Sequence, residues 1–336
     1  MPSICQQPPL ILRKVKIDPP LMVAPMANLT HSALRRLLAD FGGYGALFTE
    51  MLSAKMILNE NFTRSPWLKR RPQEGRVFYQ LMTDDIVKLP EIVDRLAPLA
   101  PDGLDLNCAC GAATIRRQGG GAALFEDVAR MQRVVAVLRR AFEGPLTVKI
   151  RLGRRGEGWR DRLWERIQVL EGEGVDAVIL HPRFMEDKFK RVAQYAVLGE
   201  LAARMRVPLI GNGDISGAAD LHARAASLKG VAGWMIGRHA VARPWICALG
   251  ENPGTSVDEA EVARRFCAYL AEDFEPDKAL RRLKVWMPYF ARNYVFGHTL
   301  FAAIQSAPDW DVARSRLDVF CAARPERLES ISVDGL

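Results

Sequence analysis

Eight short apolar runs rich in β-forming residues alternate with helical patterns over residues 1–250, and this alternation constrains the fold more than any other feature. Repeated strand and helix units predict a parallel sheet whose strands are joined by crossover helices. Eight units are the number that closes a (β/α)8 barrel. The predicted strands are Leu21–Pro25, Ala46–Glu50, Val77–Leu81, Leu104–Asn107, Leu146–Arg151, Ala177–His181, Pro208–Asn212 and Gly233–Arg238.

Helical spacing is found between these runs, as either of two parallel folds requires, and the turn after the first strand favours the barrel. The alternative is an open doubly wound sheet, which needs a GxGxxG turn after its first strand. The sequence there is Ala24-Pro25-Met26-Ala27, which is not such a turn. The clearest predicted helices are Ser32–Asp40, Val128–Phe142, Arg162–Gly172 and Ala218–Ser227.

The pattern changes after Gly250. The segment Glu251–Ser256 has the composition of a linker, and no β-rich run follows Val257. We therefore predict an α/β protein with a TIM barrel over residues 1–250, followed by a small all-helical C-terminal domain over residues 257–336.

Within the predicted helical domain, the segment Lys278–Tyr294 is amphipathic at helical spacing, and Pro288 is expected to kink or divide it. Its basic side chains share one face, which is either a solvated surface or a face that follows RNA phosphates, with Tyr289 available to stack on a base. The apolar face consists of Leu280, Leu283, Trp286, Met287, Phe290 and Tyr294, and the basic face of Lys278, Arg281, Arg282 and Arg292.

Charge and composition limit the partners. The net charge is +8 and the pI about 9.3, which favours anionic partners such as nucleic acid without proving one. In Met1–Val23 the lysines follow the apolar patch, so we expect a surface arm leading into the barrel, not a secretory signal. Six cysteines without metal-ligand spacing predict a reducing cytoplasm and no metal site. We also expect no membrane span, and a monomer.

Nearly every predicted strand ends on a polar residue. A barrel gathers these ends at one mouth, where active sites lie, and packing alone does not explain buried polar groups. Any single member could instead be a structural hydrogen-bonding residue of the rim. The set is Glu50, Gln80, Asn107, Lys149, His181, Asn212 and Arg238.

Glycines follow the last two predicted strands, in Gly211-Asn212-Gly213-Asp214 and Gly237-Arg238. Backbone N–H groups of such loops bind phosphate, often after the seventh and eighth strands of a barrel. The guanidinium of Arg238 would add a charged group that can donate two hydrogen bonds to the phosphate. The alternative is a pair of tight turns.

The motifs resemble, in order, those of the tRNA-dihydrouridine synthase family. Asp105-Leu106-Asn107-Cys108-Ala109-Cys110-Gly111 and the glycine-rich stretch Gly119–Leu124 resemble the family signature, and Arg282–Trp286 resembles the C-terminal domain of its bacterial branch, that of dihydrouridine synthase C. Each motif alone is weak, but their joint order from Leu21 to Ile246 is specific. The other matches are Ala24–Met26, Thr49–Met51, Gln80-Leu81, Val148–Gly153, His181–Arg183, Gly211–Ile215 and Met235–Arg238.

This resemblance implies an FMN-dependent enzyme that uses NADPH to reduce uridines to 5,6-dihydrouridine in tRNA or another structured RNA. It implies Cys110 as the catalytic residue, and Asn107 and Arg183 as substrate-binding residues. The basic face, Lys278, Arg281, Arg282 and Arg292, would add contacts to RNA. The implied cofactor-binding residues are Pro25, Met26, Gln80, Lys149, His181, Asn212, Gly213, Asp214, Gly237 and Arg238.

The residue types suit that chemistry. Hydride from the flavin N5 would reach uracil C6, and a thiol, which is mostly protonated at neutral pH, would protonate C5. Lys149 would stabilise the anionic reduced ring. The alternatives are a buried structural Cys110, and an ion pair between Lys149 and Glu50 or another carboxylate. Cys108 is expected in the core or behind the site.

Several residues depart from the family pattern, and we expect them to cluster on the substrate side. Gly111 replaces a proline, Ala113 and Thr114 replace a common basic residue, His31 replaces an aspartate, and Phe184 replaces a threonine.

Three other functions remain open. An FMN-dependent reductase of small molecules would not need the basic tail, and a non-catalytic RNA-binding protein would not need Cys110, Lys149 and His181. A Schiff-base lyase using Lys149 is the third. Because the chain has no separate dinucleotide-binding fingerprint, we expect the nicotinamide to dock transiently over the flavin.

Overall fold

The computed structural model describes residues 7–83, 86–187, 191–217, 220–221, 223–224, 228–248 and 257–334. Its strands are β1 (Leu10–Leu12), β2 (Val15–Ile17), β3 (Leu21–Val23), β4 (Ala46–Phe48), β5 (Leu52–Ser53), β6 (Val77–Met82), β7 (Gly103–Cys108), β8 (Leu146–Arg151), β9 (Ala177–His181), β10 (Leu209–Asn212) and β11 (Gly233–Ile236).

Eight parallel strands close into a barrel, which confirms the predicted TIM fold. The order around the barrel is β3, β4, β6, β7, β8, β9, β10, β11 and back to β3. All eight predicted runs form these strands, with ends shifted by at most two residues. Parallel pairing brings Asn107 opposite Lys149 on β7 and β8, and Arg151 opposite His181 on β8 and β9. The carboxyl ends of the strands therefore share one mouth.

Helices cover the outside of the barrel and form the C-terminal part. The predicted helices starting at Ser32, Val128 and Arg162 are confirmed as α1, α6 and α7, whereas Ala218–Ser227 lies largely outside the described residues. The helices are α1 (Ser32–Ala39), α2 (Ala54–Ile57), α3 (Leu89–Leu96), α4 (Ala113–Arg117), α5 (Ala122–Glu126), α6 (Val128–Ala141), α7 (Trp159–Gly172), α8 (Ala196–Ala202), α9 (Arg238–Ala242), α10 (Glu259–Asp273), α11 (Pro276–Phe290), α12 (Gly297–Gln305) and α13 (Trp310–Ala322).

The N-terminal hairpin of β1 and β2 closes the end of the barrel opposite the mouth. Leu10, Leu12 and Ile17 are buried and pack with inward-facing side chains of the barrel, while Ile11 is exposed. The expectation of a surface arm is therefore wrong for this segment. The alternation of buried Leu10, exposed Ile11 and buried Leu12 is typical of a strand with one buried face. The expectation rested on the position of the lysines, which carries no information about this burial.

Pro288 does not divide its helix, which excludes one of the two effects expected of it. Helix α11 continues through Pro288 to Phe290, and a 3₁₀ turn, Ala291–Asn293, follows. A proline has no N–H to donate to the carbonyl four residues earlier, here that of Lys284. The side-chain amide of Gln305 donates to this carbonyl instead, at 2.7 Å, so the carbonyl keeps a partner.

The C-terminal helices pack directly on the barrel helices. Trp286 Nε1 donates to the Val241 carbonyl at 2.9 Å, and the Asn293 side chain donates to the Ala242 carbonyl at 2.8 Å. One hydrophobic cluster runs through both parts of the chain. The predicted linker, Glu251–Ser256, lies outside the described residues, so the boundary between the two parts stays a prediction. Within the described ranges, no helix has the length and apolarity needed to cross a membrane.

Candidate active site at the barrel mouth

A buried chain of hydrogen bonds joins three neighbouring strands at the mouth. The Thr147 hydroxyl donates to one oxygen of Asp105 at 2.6 Å, and Gln80 Nε2 donates to the other at 2.7 Å. Asn107 Nδ2 donates to Gln80 Oε1 at 2.8 Å. Because the backbone N–H groups of Ala109 and Cys110 only donate, they fix Asn107 Oδ1 as their acceptor, which leaves Asn107 Nδ2 to face Gln80 Oε1.

The same array holds the loop that carries Cys110. Asn107 Oδ1 accepts hydrogen bonds from the backbone N–H groups of Ala109, at 3.1 Å, and Cys110, at 2.9 Å. A side-chain cap of this kind fixes the backbone just after the strand. Cys110 is partly exposed, whereas Cys108 is buried and burial raises its pKa. Cys108 is thus a core residue, one of the two places expected for it.

The glycine-rich turn packs against the Cys110 backbone. The Ala122 N–H donates to the Cys110 carbonyl at 3.0 Å. Gly121 has φ +58°, and a Cβ there would lie 2.6 Å from that carbonyl oxygen. A Cβ at Gly120 would lie 2.8 Å from Met82 Sδ. A side chain at Gly121 would therefore displace the loop, whereas one at Gly120 would require the Met82 side chain to move.

Lys149 lies buried behind this loop. Burial and the nearby Arg151 lower its pKa to about 8, while Asp105 and Cys110 act in the opposite direction. Burial raises the pKa of Asp105 to about 7, although the hydrogen bonds from Thr147 and Gln80 favour its charged form.

Glu50 does not hydrogen-bond to Lys149. Its Oε2 accepts from the Asn28 N–H at 2.7 Å, and its buried Oε1 has no hydrogen-bond partner among the described residues. Burial raises the pKa of Glu50, so its charge at the mouth is disfavoured.

On the other side of the mouth, His181 is held neutral. Burial lowers its pKa well below the usual value, and the cations around it act in the same direction. Arg183 Nη1 lies 2.9 Å from His181 Nε2. Since a guanidinium only donates, Nε2 is the acceptor, and we assign the proton of the neutral ring to Nδ1.

Two arginines share the carboxylate of Asp214. Arg183 Nη2 donates to Oδ2, and Arg238 Nη2 donates to Oδ1 at 3.1 Å. Two guanidinium charges and one carboxylate leave a net charge of +1 (+2 − 1) in this cluster. Asp214, predicted to bind cofactor, is thus a link between two arginines.

The glycine loops after β10 and β11 bring the backbone close to this cluster. Gly213 has φ +112°, and a Cβ there would lie 2.7 Å from His181 Cδ2. A Cβ at Gly237 would meet Met26 Sδ at 3.5 Å. Asn212 Nδ2 donates to the Met235 carbonyl at 2.8 Å, which ties β10 to β11. Pro25 and Met26 are half-buried at the end of β3.

The basic residues of the helical part do not share one outward face of a single helix, contrary to the prediction. Lys278, Arg281 and Arg292 are exposed, but Arg292 lies in the 3₁₀ turn beyond α11. Arg282 is half-buried and turns toward the barrel, where its Nη1 donates to Asn28 Oδ1 at 2.7 Å.

A cleft of about 350 Å³ separates this part of the helical region from the barrel loop before β6. Lys278, Arg64 and Trp67 all line it. The guanidinium of Arg282 lies 5.8 Å from the Trp67 ring. Lys278 and Arg282 therefore face the boundary between the barrel and the helices.

Two of the departures from the family pattern are packing residues, contrary to the expected substrate side. His31 is fully buried, with its ring 5.0 Å from that of Phe274. Phe184 is buried under the Arg155 guanidinium, which lies 4.3 Å from its ring. The other three, Gly111, Ala113 and Thr114, are exposed next to Cys110.

Sequence reasoning missed several residues around the site. Asp105 is two positions before Asn107 in β7, so both side chains face the barrel interior, and this spacing could have revealed it. Arg116 and Arg117 are exposed on α4, a few residues after the position where the family carries a basic residue. Val333, whose carbonyl accepts from Arg238 at 3.0 Å, had no signal in the sequence.

The family model described as Dihydrouridine synthase (Dus) matches residues 22–295, which run from the second residue of β3 through the other seven barrel strands and the first two C-terminal helices. The chain belongs to the dihydrouridine synthase family. This confirms the resemblance found in the motifs.

Similar proteins come from bacteria and animals. The chain is 28% identical over 339 residues to a probable tRNA-dihydrouridine synthase of Mycobacterium leprae, covering 88% of each protein. It is 29% identical over 310 residues to the tRNA-dihydrouridine(16) synthase of Cupriavidus necator. That match covers 86% of this chain and 93% of the Cupriavidus protein.

Solved structures with the same fold include an old yellow enzyme from Trypanosoma cruzi, with a TM-score of 0.56 and 11% identity, covering 76% of this chain and 93% of that one. At this identity the match shows the barrel fold alone. Among the described residues of this family member, no group of three or more His, Cys, Asp or Glu side chains could hold a metal ion.

Proposed function

We propose that this protein reduces specific uridines in tRNA to 5,6-dihydrouridine, with FMN as its cofactor and NADPH as the reductant. The observation that carries the proposal is the hydrogen-bonded array of Asp105, Gln80 and Asn107, which holds the Cys110 loop in the mouth of the barrel. Family membership and the names of the similar proteins support the reaction and the RNA substrate.

The residues at the mouth fit an FMN. The Arg183, Arg238 and Asp214 cluster has a net positive charge, and the loops at Gly213 and Gly237 let the backbone approach a phosphate. A buried ammonium, that of Lys149, is a suitable partner for an anionic ring. Gln80, Lys149 and His181 would hold the ring, with Pro25 and Met26 against it, and Asn212, Gly213, Asp214, Gly237 and Arg238 would form the phosphate end.

When bound, the flavin supplies hydride from N5. The chain's own residues then do the remaining work. Cys110 Sγ holds the proton that C5 of the uracil needs, and Asn107 and Arg183 hold the base. Lys149, with a pKa of about 8, is mostly protonated at pH 7 and stabilises negative charge nearby. Neutral His181 presents an N–H donor without adding charge.

The RNA must present a uridine that has left its stack, which costs a few kcal/mol. Contacts to the phosphate backbone offset this cost. Lys278, Arg281 and Arg292 are exposed and supply such contacts, and Arg282 would act from its place beside Asn28.

We further propose that the protein acts as a monomer in the cytoplasm. One chain contributes every residue of the array at the mouth. The five cysteines that the structure describes are all free thiols, which suits a reducing compartment.

The test is to purify the protein, identify its chromophore by mass spectrometry, and supply NADPH and unmodified tRNA. We expect one FMN per chain, NADPH oxidation that depends on the protein, and dihydrouridine in the tRNA. A protein that binds no flavin after incubation with FMN, or that holds FMN and forms no dihydrouridine, would contradict the proposal.

A further inference from the structure

We infer that the C-terminal segment, residues 326–333, completes the phosphate end of the cofactor site, with the Val333 carbonyl as a positioning group for the Arg238 guanidinium. The inference rests on the proposed FMN, and it concerns the part of the chain farthest in sequence from the barrel strands.

The segment is fastened first to the 3₁₀ turn after α11 and then to α9 of the barrel. After α13 the chain turns back, and the Leu328 N–H donates to the Asn293 carbonyl at 2.8 Å. Arg243, just beyond α9, donates through Nη1 to the Glu329 carbonyl at 2.8 Å and through Nη2 to the Leu328 carbonyl. His239 Nε2 lies 3.4 Å from the Ile331 carbonyl. The segment therefore runs along α9 toward its first residue, Arg238.

The end of the segment meets the guanidinium proposed to bind phosphate. The Val333 side chain is buried, with 1% exposed, and its carbonyl accepts from Arg238 Nη1 at 3.0 Å. Asp214 Oδ1 accepts from Nη2 of the same guanidinium at 3.1 Å. Acceptors on two different nitrogens fix both the position and the plane of a planar donor group.

The chemistry of the two acceptors explains why the segment positions Arg238 and does not neutralise it. Asp214 is shared with Arg183, so the cluster keeps a net positive charge. The Val333 carbonyl is neutral, so it holds the guanidinium without cancelling any of that charge. A cation held ready loses less conformational entropy when the phosphate binds.

The experiment compares FMN with riboflavin, which has the same ring and no phosphate. The flavin-free full chain, a truncation that removes residues 331–336, and a control truncation that removes only residues 335–336 are titrated by flavin fluorescence. We expect the longer truncation to raise the Kd for FMN about three- to ten-fold, the effect of freeing one long side chain. Riboflavin binding should not change, and the control should match the full chain.

Two further variants separate positioning from folding. Val333→Ala keeps the chain and its carbonyl but removes part of the buried anchor, so it should weaken FMN binding in the same direction and by less. In an Arg238→Ala background, the longer truncation should have no further effect on FMN, because the group that it positions is gone.

Three results would overturn the inference. Equal weakening of FMN and riboflavin would mean that the segment only stabilises the fold. Tighter FMN binding after truncation would mean that the Val333 carbonyl competes with the phosphate, and an unchanged FMN Kd would mean that it plays no part. A full chain that binds neither flavin would instead overturn the proposed cofactor, and with it this inference.

Discussion

Cys110 and Cys108 are two residues apart, yet only Cys110 is exposed to the mouth of the barrel. If Cys110 gives the proton to C5, Cys110→Ala should keep FMN and its reduction by NADPH but slow uridine reduction by about two to four orders of magnitude. Cys108→Ala is the matched control, with a loss of roughly 1 kcal/mol in stability and near-normal turnover. Single-turnover kinetics on tRNA measures both, and the opposite ranking would exclude Cys110 as the acid.

Burial of the charged Lys149 ammonium lowers the free energy of unfolding at neutral pH. Its folded pKa, about 8, lies below the usual 10.5, so the unfolded chain binds more protons and stability rises with pH between these values. Lys149→Met should therefore stabilise the flavin-free protein by roughly 3 kcal/mol at pH 7, and by about half as much at pH 9.5. Urea denaturation at both pH values measures this. An equal effect at the two values would contradict a lowered pKa.

Some of these residues were predictable and others were not. The polar strand ends predicted that Gln80, Asn107 and His181 share a mouth, because parallel strands bring their carboxyl ends together. The link from Arg238 to Val333 spans 95 residues and ends on a backbone carbonyl. A carbonyl is present at every residue, so no side-chain pattern could reveal this contact.

The glycine turn between α4 and α5 fixes the Cys110 loop from behind. Gly121→Ala would put a Cβ 2.6 Å from the Cys110 carbonyl at a positive φ, so we expect a loss of about 1–3 kcal/mol in stability. Displacement of the thiol should also slow uridine reduction about 10- to 100-fold.

Gly111→Ala is the control for this turn, since a Cβ at Gly111 meets no atom within 4 Å. It should change stability by less than about 0.5 kcal/mol. Thermal unfolding and uridine turnover are measured for Gly121→Ala and Gly111→Ala, and only Gly121→Ala should differ from the wild type. Equal effects would show that the turn does not constrain the loop.

The barrel strands were predicted more reliably than the elements around them. A strand buried on both sides is a short apolar run, which composition reveals directly. The hairpin of β1 and β2 was missed because only three buried side chains, Leu10, Leu12 and Ile17, carry its pattern. The continuity of α11 through Pro288 depends on Gln305 from another helix, which local sequence does not report.

For the molecule as a whole, the proposed RNA surface lies where the helices meet the barrel. Lys278 lines the cleft there, and Arg281, three residues later on α11, is exposed. Arg282 also holds Asn28, so its replacement would disturb the mouth. The double variant Lys278→Gln/Arg281→Gln should weaken tRNA binding and reduce the slope of log K against log salt by roughly 1.5. FMN content should not change.

Arg160, exposed on α7 at the outside of the barrel, provides the control for this surface. Arg160→Gln should leave both the affinity for tRNA and its salt dependence at wild-type values. Titration of labelled tRNA at several salt concentrations makes the comparison. If the double variant behaves like Arg160→Gln, the RNA binds elsewhere.

The most direct measurement is a map of dihydrouridine in the RNA of cells that lack this gene, made by mass spectrometry of tRNA fragments. We predict that dihydrouridine is lost from one or more tRNA positions, that the wild-type gene restores it, and that the Cys110→Ala gene does not. Dihydrouridine that is unchanged at every position after deletion, or restored fully by Cys110→Ala, would contradict this prediction.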